Sequence, residues 1–242
     1  MIASLPMYLR DENRAAYDRF WQGIVTKLGS DLSTPPLLQH DEDVWHQWRS
    51  PDLLLSQTCG LPFRSALHDK VSLIGTLDYR LPGCPPGYYN SVLVMHRKSA
   101  SSDPRFWARM TFAANDKHSE SGWAAPQRHM SAFDMSFETV WISGSHRASA
   151  KAVAVEMAGI AAIDAQTWRM IQRWDDWSKN LIEVARTTPT PGLPLITAYI
   201  EYKDVLFHAV RTQIEALDRQ DRAILDLHGI VAIPKDAYLA IN

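Results

Sequence analysis

Short apolar runs recur along the chain, with helical patterns between them. After a first candidate at 1–7, the runs lie at 53–55, 71–77, 91–96, 111–114, 160–163, 181–185 and 195–200. Most of them do not alternate apolar with polar residues, which is typical of strands that are buried on both faces. The pattern therefore predicts a set of buried β-strands.

Several of these runs are separated by segments with helical spacing. Tyr17, Phe20, Ile24 and Leu28 fall on one face of a first helix, for which Asp11 offers an N-cap. Further helices are predicted over 104–110, 121–133, 147–157 and 165–173, and from 203 to about 227 with an interruption near 218–221. Alternating strands and helices predict an α/β protein with largely parallel sheets.

Two segments are rich in residues that interrupt regular structure, at 96–104 and 186–194. If both are crossings between lobes, residues 1–96 and 194–242 form one lobe, residues 97–193 form the other, and a cleft lies between them. Alternatively, both segments are ordinary surface loops of one domain.

Composition excludes several classes of protein. A chain of 242 residues that is 46% hydrophobic can bury a core without disulfides. A net charge of -2, with Lys and Arg scattered among the carboxylates, argues against nucleic-acid binding. No apolar run is long enough for direct membrane insertion, and the N-terminus lacks the pattern of an export leader. Cys59 and Cys84 form no CxxC pair, so no zinc site is predicted, and they are either two thiols or one disulfide.

Polar side chains follow several of the predicted strands. Gln57 and Thr58 come after the run at 53–55, Tyr8 after the run at 1–7, and Tyr79 after the run at 71–77. Ligands bind at the carboxyl ends of strands in α/β sheets, so these residues are candidate ligand contacts. Each tyrosine could line a pocket with its ring and its hydroxyl.

The loop after the run at 111–114 reads NDKHSESGW and begins at Asn115. Ser119 and Ser121 supply hydroxyls, Gly122 allows close approach to the backbone, and the next helix directs its positive end towards the same place. Such a loop could hold an oxyanion without a formal positive charge. Alternatively, one of the serines simply caps the helix.

Two further candidates lie at the start of a helix and the end of a strand. His146, in the segment GSHRAS, is placed to contact an anion, although a histidine there can also be a packing or capping residue. Asp164 ends an apolar strand, where a carboxylate needs a donor. It could bind an ammonium or hydroxyl group of a ligand, or cap the helix that begins at Ala165.

The sequence contains no GxGxxG, Walker or GxSxG motif, which argues against nucleotide binding and serine hydrolysis. We therefore expect no cofactor and no metal ion.

In their order, these motifs resemble the phosphate/phosphonate-binding (PhnD-like) substrate-binding proteins of ABC transporters. The resemblance rests on SQTCGLPF at 56–63, Tyr79, Gly83-Cys84, NDxxSxSG at 115–122, SGSHRAS at 143–149 and AAID at 161–164, and it covers about residues 1–200. It implies a type II periplasmic-binding-protein fold, in which two α/β lobes joined by two crossings close over a ligand.

The resemblance also implies roles for particular residues. The Ser/Thr loop that holds the phosphonate matches Ser119, Ser121 and Gly122, and the family's histidine and aspartate match His146 and Asp164. Pocket tyrosines correspond to Tyr8 and Tyr79. Where the family loop commonly has threonine, this chain has Glu120, which would repel an anion unless its side chain turns outward.

We therefore expect a non-catalytic solute-binding protein that captures a small, phosphonate-like or phosphate-like oxyanion for an ABC transporter permease. The resemblance implies a periplasmic location, and the missing leader leaves a cytoplasmic location open. One alternative is an enzyme on the same fold, as in menaquinone or thiamine-pyrimidine synthesis, with His146 and Asp164 as an acid/base pair. The other is a cytoplasmic ligand sensor.

Overall fold

A computed structural model describes residues 1–30, 32–40 and 43–241 of the chain. The strands are β1 (Ile2–Ala3), β2 (Leu53–Gln57), β3 (Ser72–Asp78), β4 (Tyr88–Tyr89), β5 (Ser91–His96), β6 (Thr111–Ala114), β7 (Thr139–Ile142), β8 (Ile160–Asp164), β9 (Leu181–Arg186), β10 (Thr190–Pro191), β11 (Pro194–Thr197) and β12 (Gly229–Val231).

The α-helices are α1 (Arg14–Leu28), α2 (Val44–Arg49), α3 (Gly60–Pro62), α4 (Pro104–Ala108), α5 (Ala125–Ser131), α6 (His146–Ala154), α7 (Ala165–Trp174), α8 (Lys203–Ala216), α9 (Arg219–Leu225) and α10 (Lys235–Leu239). Single π-helical turns cover Phe63–Leu67 and Glu120–Ala124, and 3-10 turns cover Arg97–Ser99, Asp176–Asn180 and Ile200–Tyr202.

The chain divides into two compact units. Unit 1 consists of Met1–Tyr88 and the chain from Pro191 onward, and unit 2 consists of Tyr89–Thr190. The sequence predicted lobes of 1–96 with 194–242 and of 97–193. Both predicted boundaries lie farther along the chain than the boundaries between the two units.

Unit 1 is built on a five-stranded sheet of order β1-β2-β11-β3-β12. Strand β2 is buried along its whole length, as expected for a run without alternation. A core next to this sheet contains large side chains from strands and helices: Trp48, Leu53, Phe63, Leu67, Ile196, Ile233 and Tyr238. Unit 1 therefore has a hydrophobic core of its own.

Unit 2 is built on a second five-stranded sheet, of order β7-β6-β8-β5-β9. Strands β5 and β8 are completely buried. The core on this sheet includes Leu93, Met95, Trp107, Phe112, Met130, Phe137 and Ile160. The sheet brings the loops that follow β6, β7 and β8 to one edge, because β6 is parallel to both β7 and β8.

The prediction of largely parallel sheets is wrong, because strands of both five-stranded sheets pair in the antiparallel direction. In unit 1, β11 is antiparallel to both of its neighbours, β2 and β3, and β12 is antiparallel to β3. In unit 2, β5 is antiparallel to both β8 and β9. An apolar run indicates that a strand is buried and carries no information about the direction of the strand. The antiparallel direction of β5 and β11 could therefore not be recognised from the pattern.

Two predicted helix boundaries also differ. Helix α1 begins at Arg14, and Asn13 rather than Asp11 occupies the N-cap position. The helix predicted to start at Ser121 begins with the π-helical turn Glu120–Ala124, which continues into α5. The interruption near 218–221 is confirmed, since α8 ends at Ala216 and Asp218 caps α9 by accepting from the amide of Asp221 at 2.7 Å.

Candidate functional site

In unit 2, the side chains of Ser121 and His146 form a hydrogen bond, with 2.8 Å between Oγ and Nε2. Ser121 lies in the π-helical turn after β6, and His146 is the first residue of α6, after β7. Because β6 and β7 are parallel neighbours, the loops that follow them lie at the same edge of the sheet. The sheet therefore brings together two residues that are 25 positions apart.

The second ring nitrogen of His146 fixes the tautomer. Nδ1 lies 3.2 Å from the carbonyl oxygen of Ala162 on β8, and a carbonyl can only accept, so Nδ1 carries the proton. Burial of the ring lowers the pKa of His146 to about 4, although the bond to Ala162 acts in the opposite direction. The ring is therefore neutral near pH 7, and Nε2 accepts from the Ser121 hydroxyl.

Gly122 lies against the side chains of Asn115 and His146, two of the other predicted ligand contacts. A Cβ atom at this position would lie 1.7 Å from Oδ1 of Asn115 and 3.0 Å from Cε1 of His146. The backbone of Asn115 also accepts a 3.0 Å hydrogen bond from the amide of Gly144 in the loop after β7. A side chain at position 122 would have to displace the side chain of Asn115 and press against the ring of His146, so this position favours glycine.

The two serines of the loop have different roles. Ser119 is the N-cap of the π-helical turn, and its Oγ accepts from the amide of Gly122 at 3.0 Å. The capping interpretation therefore applies to Ser119. The hydroxyl of Ser121 instead forms a hydrogen bond with His146, which is another of the predicted ligand contacts.

The side chain of Glu120 does not turn outward. Its side chain is completely buried and forms an ion pair with Arg128 on α5. The guanidinium of Arg128 compensates the carboxylate, because a buried charge without a partner would be very costly. The negative charge of Glu120, which the family loop does not have, is thus neutralised by Arg128 on the next helix.

Asp164 is buried at the end of β8 and caps α7. Its Oδ1 accepts from the amides of Gln166 at 2.8 Å and Thr167 at 2.9 Å. The capping interpretation of Asp164 is confirmed by these bonds. The ring of His146 bonds to Ser121 and to the carbonyl of Ala162, whereas the carboxylate of Asp164 bonds to the first amides of α7.

Ser91, which the sequence analysis did not select, links Asp164 to the Ser121 loop. Ser91 pairs with Asp164 in the sheet, and its hydroxyl donates to the carbonyl of Ser121 at 2.7 Å. Its own amide donates to Oγ1 of Thr187 at 2.9 Å. A polar residue at the start of the apolar run 91–96 was the signal that could have identified it.

The other predicted residues lie in unit 1. The rings of Tyr8 and Tyr79 are buried and pack edge to face, with their centroids 5.0 Å apart. Burial raises the pKa of the neighbouring Tyr17 hydroxyl, which also bonds to the side chain of Tyr79. The tyrosines therefore form a packed cluster in this unit.

Gln57 is the last residue of β2 in unit 1, and Thr58 follows it. Nε2 of Gln57 donates to the carbonyl of Leu193 at 3.3 Å, and the amide of Thr58 donates to the carbonyl of Pro194 at 3.0 Å. Within residues 1–30, 32–40 and 43–241, the buried Oε1 of Gln57 has no hydrogen-bond partner. The structure thus divides the candidates into a group in unit 2 and a group in unit 1.

The described parts of the chain contain no group of three or more His, Cys, Asp or Glu side chains placed to hold a metal ion. None of the helices in those parts has both the length and the apolar character needed to span a membrane. No disulfide joins Cys59 and Cys84.

Comparisons with solved structures identify the fold. PhnD1 of Prochlorococcus marinus, solved in complex with methylphosphonate, matches with a TM-score of 0.76 and 16% identity, over 98% of this chain and 94% of that protein. A binding-protein component of an ABC phosphonate transporter from Pseudomonas aeruginosa matches with a TM-score of 0.73 and 14% identity, over 100% and 83% of the two chains. A histidine kinase sensor domain similar to periplasmic binding proteins matches with a TM-score of 0.63 and 9% identity, over 96% and 97%. The predicted fold class, the two-lobed α/β fold of type II periplasmic binding proteins, is confirmed.

A search of curated protein sequences gave no match. A family profile described as "ABC transporter, phosphonate, periplasmic substrate-binding protein" matches residues 75–238, which is more than half of the chain and includes the Ser121 loop, His146 and Asp164. The chain therefore belongs to the phosphonate-binding family of periplasmic substrate-binding proteins of ABC transporters.

Proposed function

We propose that this protein is a non-catalytic solute-binding protein that captures a small, phosphonate-like or phosphate-like oxyanion for an ABC transporter permease. The observation that carries the proposal is the contact between Ser121 and His146 beside Gly122, in the loop that matches the family's Ser/Thr loop. The family supports a periplasmic location.

The charges around this loop favour binding by neutral groups. Arg128 is paired with Glu120, and Arg147 is paired with Asp175 at 2.6 Å, so these guanidinium groups are already engaged. An oxyanion would then be held by amides of the first turn, which have no partner within their own helix, with Ser121 Oγ beside it. Hydrogen bonds to a charged acceptor are about twice as strong as those between neutral groups.

Relatives guide the choice of ligand. PhnD1 was solved with methylphosphonate, which has three oxygens on phosphorus and one small apolar group. Asn115, Ser119, Ser121, Gly122, His146 and Asp164 are our candidates for the oxyanion contacts. Four residues of unit 1 stay predictions for ligand contacts, to be tested by substitution in the binding assay described next: Tyr8, Gln57, Thr58 and Tyr79.

The proposal is tested by calorimetry and thermal-shift measurements with methylphosphonate, phosphate, acetate and chloride. We expect methylphosphonate or phosphate to bind and to raise the melting temperature, and the Ser121→Ala variant to bind at least tenfold more weakly. Ser131→Ala is the matched control, since Ser131 lies on the exposed side of α5 and bonds only to the carbonyl of Gln127. If neither phosphonate nor phosphate binds, the proposal is wrong.

The non-catalytic part of the proposal needs a separate measurement. After long incubation with the protein, the bound phosphonate is released by denaturation and its phosphorus spectrum is recorded. We expect the ligand to be recovered unchanged. Conversion that depends on His146 would support the enzyme alternative instead.

A further inference from the structure

The hydrogen bonds of His146 decide where the proton of Ser121 points. The carbonyl of Ala162 requires a proton on Nδ1, so the neutral ring presents a lone pair at Nε2. The Ser121 hydroxyl, 2.8 Å away, must donate its single proton to that lone pair. Oγ of Ser121 then has lone pairs, and no proton, for any further partner.

The ring stays neutral in this environment because burial lowers the pKa of His146 to about 4. Its two nitrogens bond to Ser121 and to the Ala162 carbonyl, neither of which is charged. Besides His146 itself, the titratable groups on α6 and on the elements packed against it are His96, Arg147, Lys151, Asp164, Arg169, Arg173, Asp176 and Lys179. Glu120 lies next to Ser121 in the π-helical turn, and Asp175 follows α7.

Three acidic residues around the Ser121–His146 pair have partners of their own. Glu120 is paired with Arg128, Asp175 is paired with Arg147, and Asp164 caps α7. No carboxylate therefore holds a proton on the imidazole in the way that a buried Asp–His pair would.

A fully deprotonated oxyanion would place an oxygen lone pair against the lone pairs of Ser121 Oγ. A ligand with a P–O–H group would instead donate a hydrogen bond to that oxygen. Given the phosphonate site proposed above, we propose that the Ser121–His146 pair selects the singly protonated phosphonate, whose P–O–H donates to Ser121 Oγ. The ligand thus supplies the donor that the protein lacks at this atom.

This selection distinguishes two ligands of nearly equal shape. Methylphosphonate and methanesulfonate can both carry one negative charge, and only the phosphonate has an acidic O–H to donate. A site built around a hydrogen bond to a ligand hydroxyl rejects an analogue that lacks it, because a buried polar atom is then left without a partner. We expect methylphosphonate to bind roughly a hundredfold more tightly than methanesulfonate at about pH 6.

The pH dependence has a definite sign. If the monoanion binds, the apparent Kd of methylphosphonate is constant below the second ionisation of the free ligand. Above that ionisation it rises by about tenfold per pH unit, since one proton is taken up with each ligand. Calorimetry at pH about 8.5, in buffers with different ionisation enthalpies, should report uptake of nearly one proton per ligand, falling towards zero at pH about 6.

His146→Gln tests the pair directly, because a carboxamide NH₂ can donate to Ser121 and release its hydroxyl to donate to the ligand. In this variant the preference for phosphonate over sulfonate should shrink to within about tenfold, and the pH dependence should flatten. His118→Gln, in the exposed part of the same loop, is the matched control and should keep both properties of the original protein. If His146→Gln does not fold, the two measurements on the unaltered protein decide the question alone.

The outcomes separate this inference from the proposed function. Tight binding of methylphosphonate that is matched by methanesulfonate, or that does not weaken as the pH rises, would overturn the inference and leave the proposed function standing. Sulfonate binding with proton uptake would place the proton on His146 and would also overturn it. Absence of binding by any oxyanion at any pH would instead overturn the proposed function.

Discussion

The carboxylate of Glu120, which is completely buried, is paired with the guanidinium of Arg128 on α5. Glu120 lies between Ser119, which caps the π-helical turn, and Ser121, which bonds to His146. The ion pair thus anchors the middle of the loop that we propose binds the oxyanion. Its loss should affect stability and affinity together.

Arg128→Met removes the partner of a buried carboxylate. We expect it to lower the free energy of unfolding by about 3 kcal/mol, as measured by urea denaturation, and to weaken phosphonate binding. The double variant Glu120→Gln/Arg128→Met should recover most of the stability, because no unpaired charge is left. Arg105→Met, which disrupts an exposed pair with Asp103, is the control and should change little. Equal losses in the single and double variants would contradict the role given to the charge.

Gly122→Ala introduces a methyl group where Oδ1 of Asn115 already lies, 1.7 Å from the ideal Cβ position. We expect a loss of about 1–3 kcal/mol in unfolding free energy and a loss of phosphonate binding, because the loop must move away from His146. Gly229→Ala is the matched control, since its nearest neighbour would be 3.9 Å away. Shortening the obstructing side chain, in Asn115→Ala/Gly122→Ala, should restore part of the stability.

The histidine in the site also makes stability depend on pH. Burial lowers the pKa of His146 from 6.5 to about 4, so the unfolded chain binds a proton at a higher pH than the native protein does. The stabilisation from this residue is therefore fully present above pH about 6.5 and is lost as the pH falls towards 4, by up to about 3 kcal/mol. The difference in unfolding free energy between the original protein and His146→Gln, measured at several pH values, should change by that amount. A difference that is constant with pH would contradict the prediction.

Substitutions at Asp164 separate capping from ligand binding. Asp164→Ala removes the acceptor for the amides of Gln166 and Thr167 and should cost about 1 kcal/mol. Asp164→Asn keeps a capping oxygen and removes the charge, so stability should change by only a few tenths of a kcal/mol. If Asp164 also contacts the ligand, the asparagine variant loses affinity while it stays stable. Unchanged affinity in Asp164→Asn would restrict this residue to its capping role.

The apolar runs predicted most strands of both sheets, because a strand buried on both faces has a recognisable composition. The burial predicted for the run at 181–185 is wrong, since Leu181 is the one buried residue of β9. Strand β7 was missed although its sequence, TVWI, is as apolar as the run at 111–114. Thr139–Ile142 is exposed along its whole length at the edge of the unit 2 sheet, and Val140, Trp141 and Ile142 all remain exposed. The composition of these four residues indicates a strand, whereas their exposure depends on the strand's position in the sheet.

The candidate site was predicted in part. The loop at 115–122, His146 and Asp164 were recognisable from residue types at strand ends and helix starts, and their order matched a family. Ser91 is marked in the sequence only as a polar residue at the start of an apolar run, because its role depends on pairing with Asp164 and on its bond to the Ser121 carbonyl. The sequence did not show how the charge of Glu120 is compensated, because its partner, Arg128, is supplied by the next helix.

The sequence by itself determined the α/β class, the family and the residues that could hold an oxyanion, because burial patterns and short motifs are local properties. Tertiary structure alone decided the direction of β5 and β11, the pairing of Ser121 with His146 and the neutral state of that histidine. Each of these depends on which strands and loops meet in space. The protonation of an imidazole, above all, is set by the atoms around it: burial disfavours its charge, and the carbonyl of Ala162 determines which nitrogen keeps the proton.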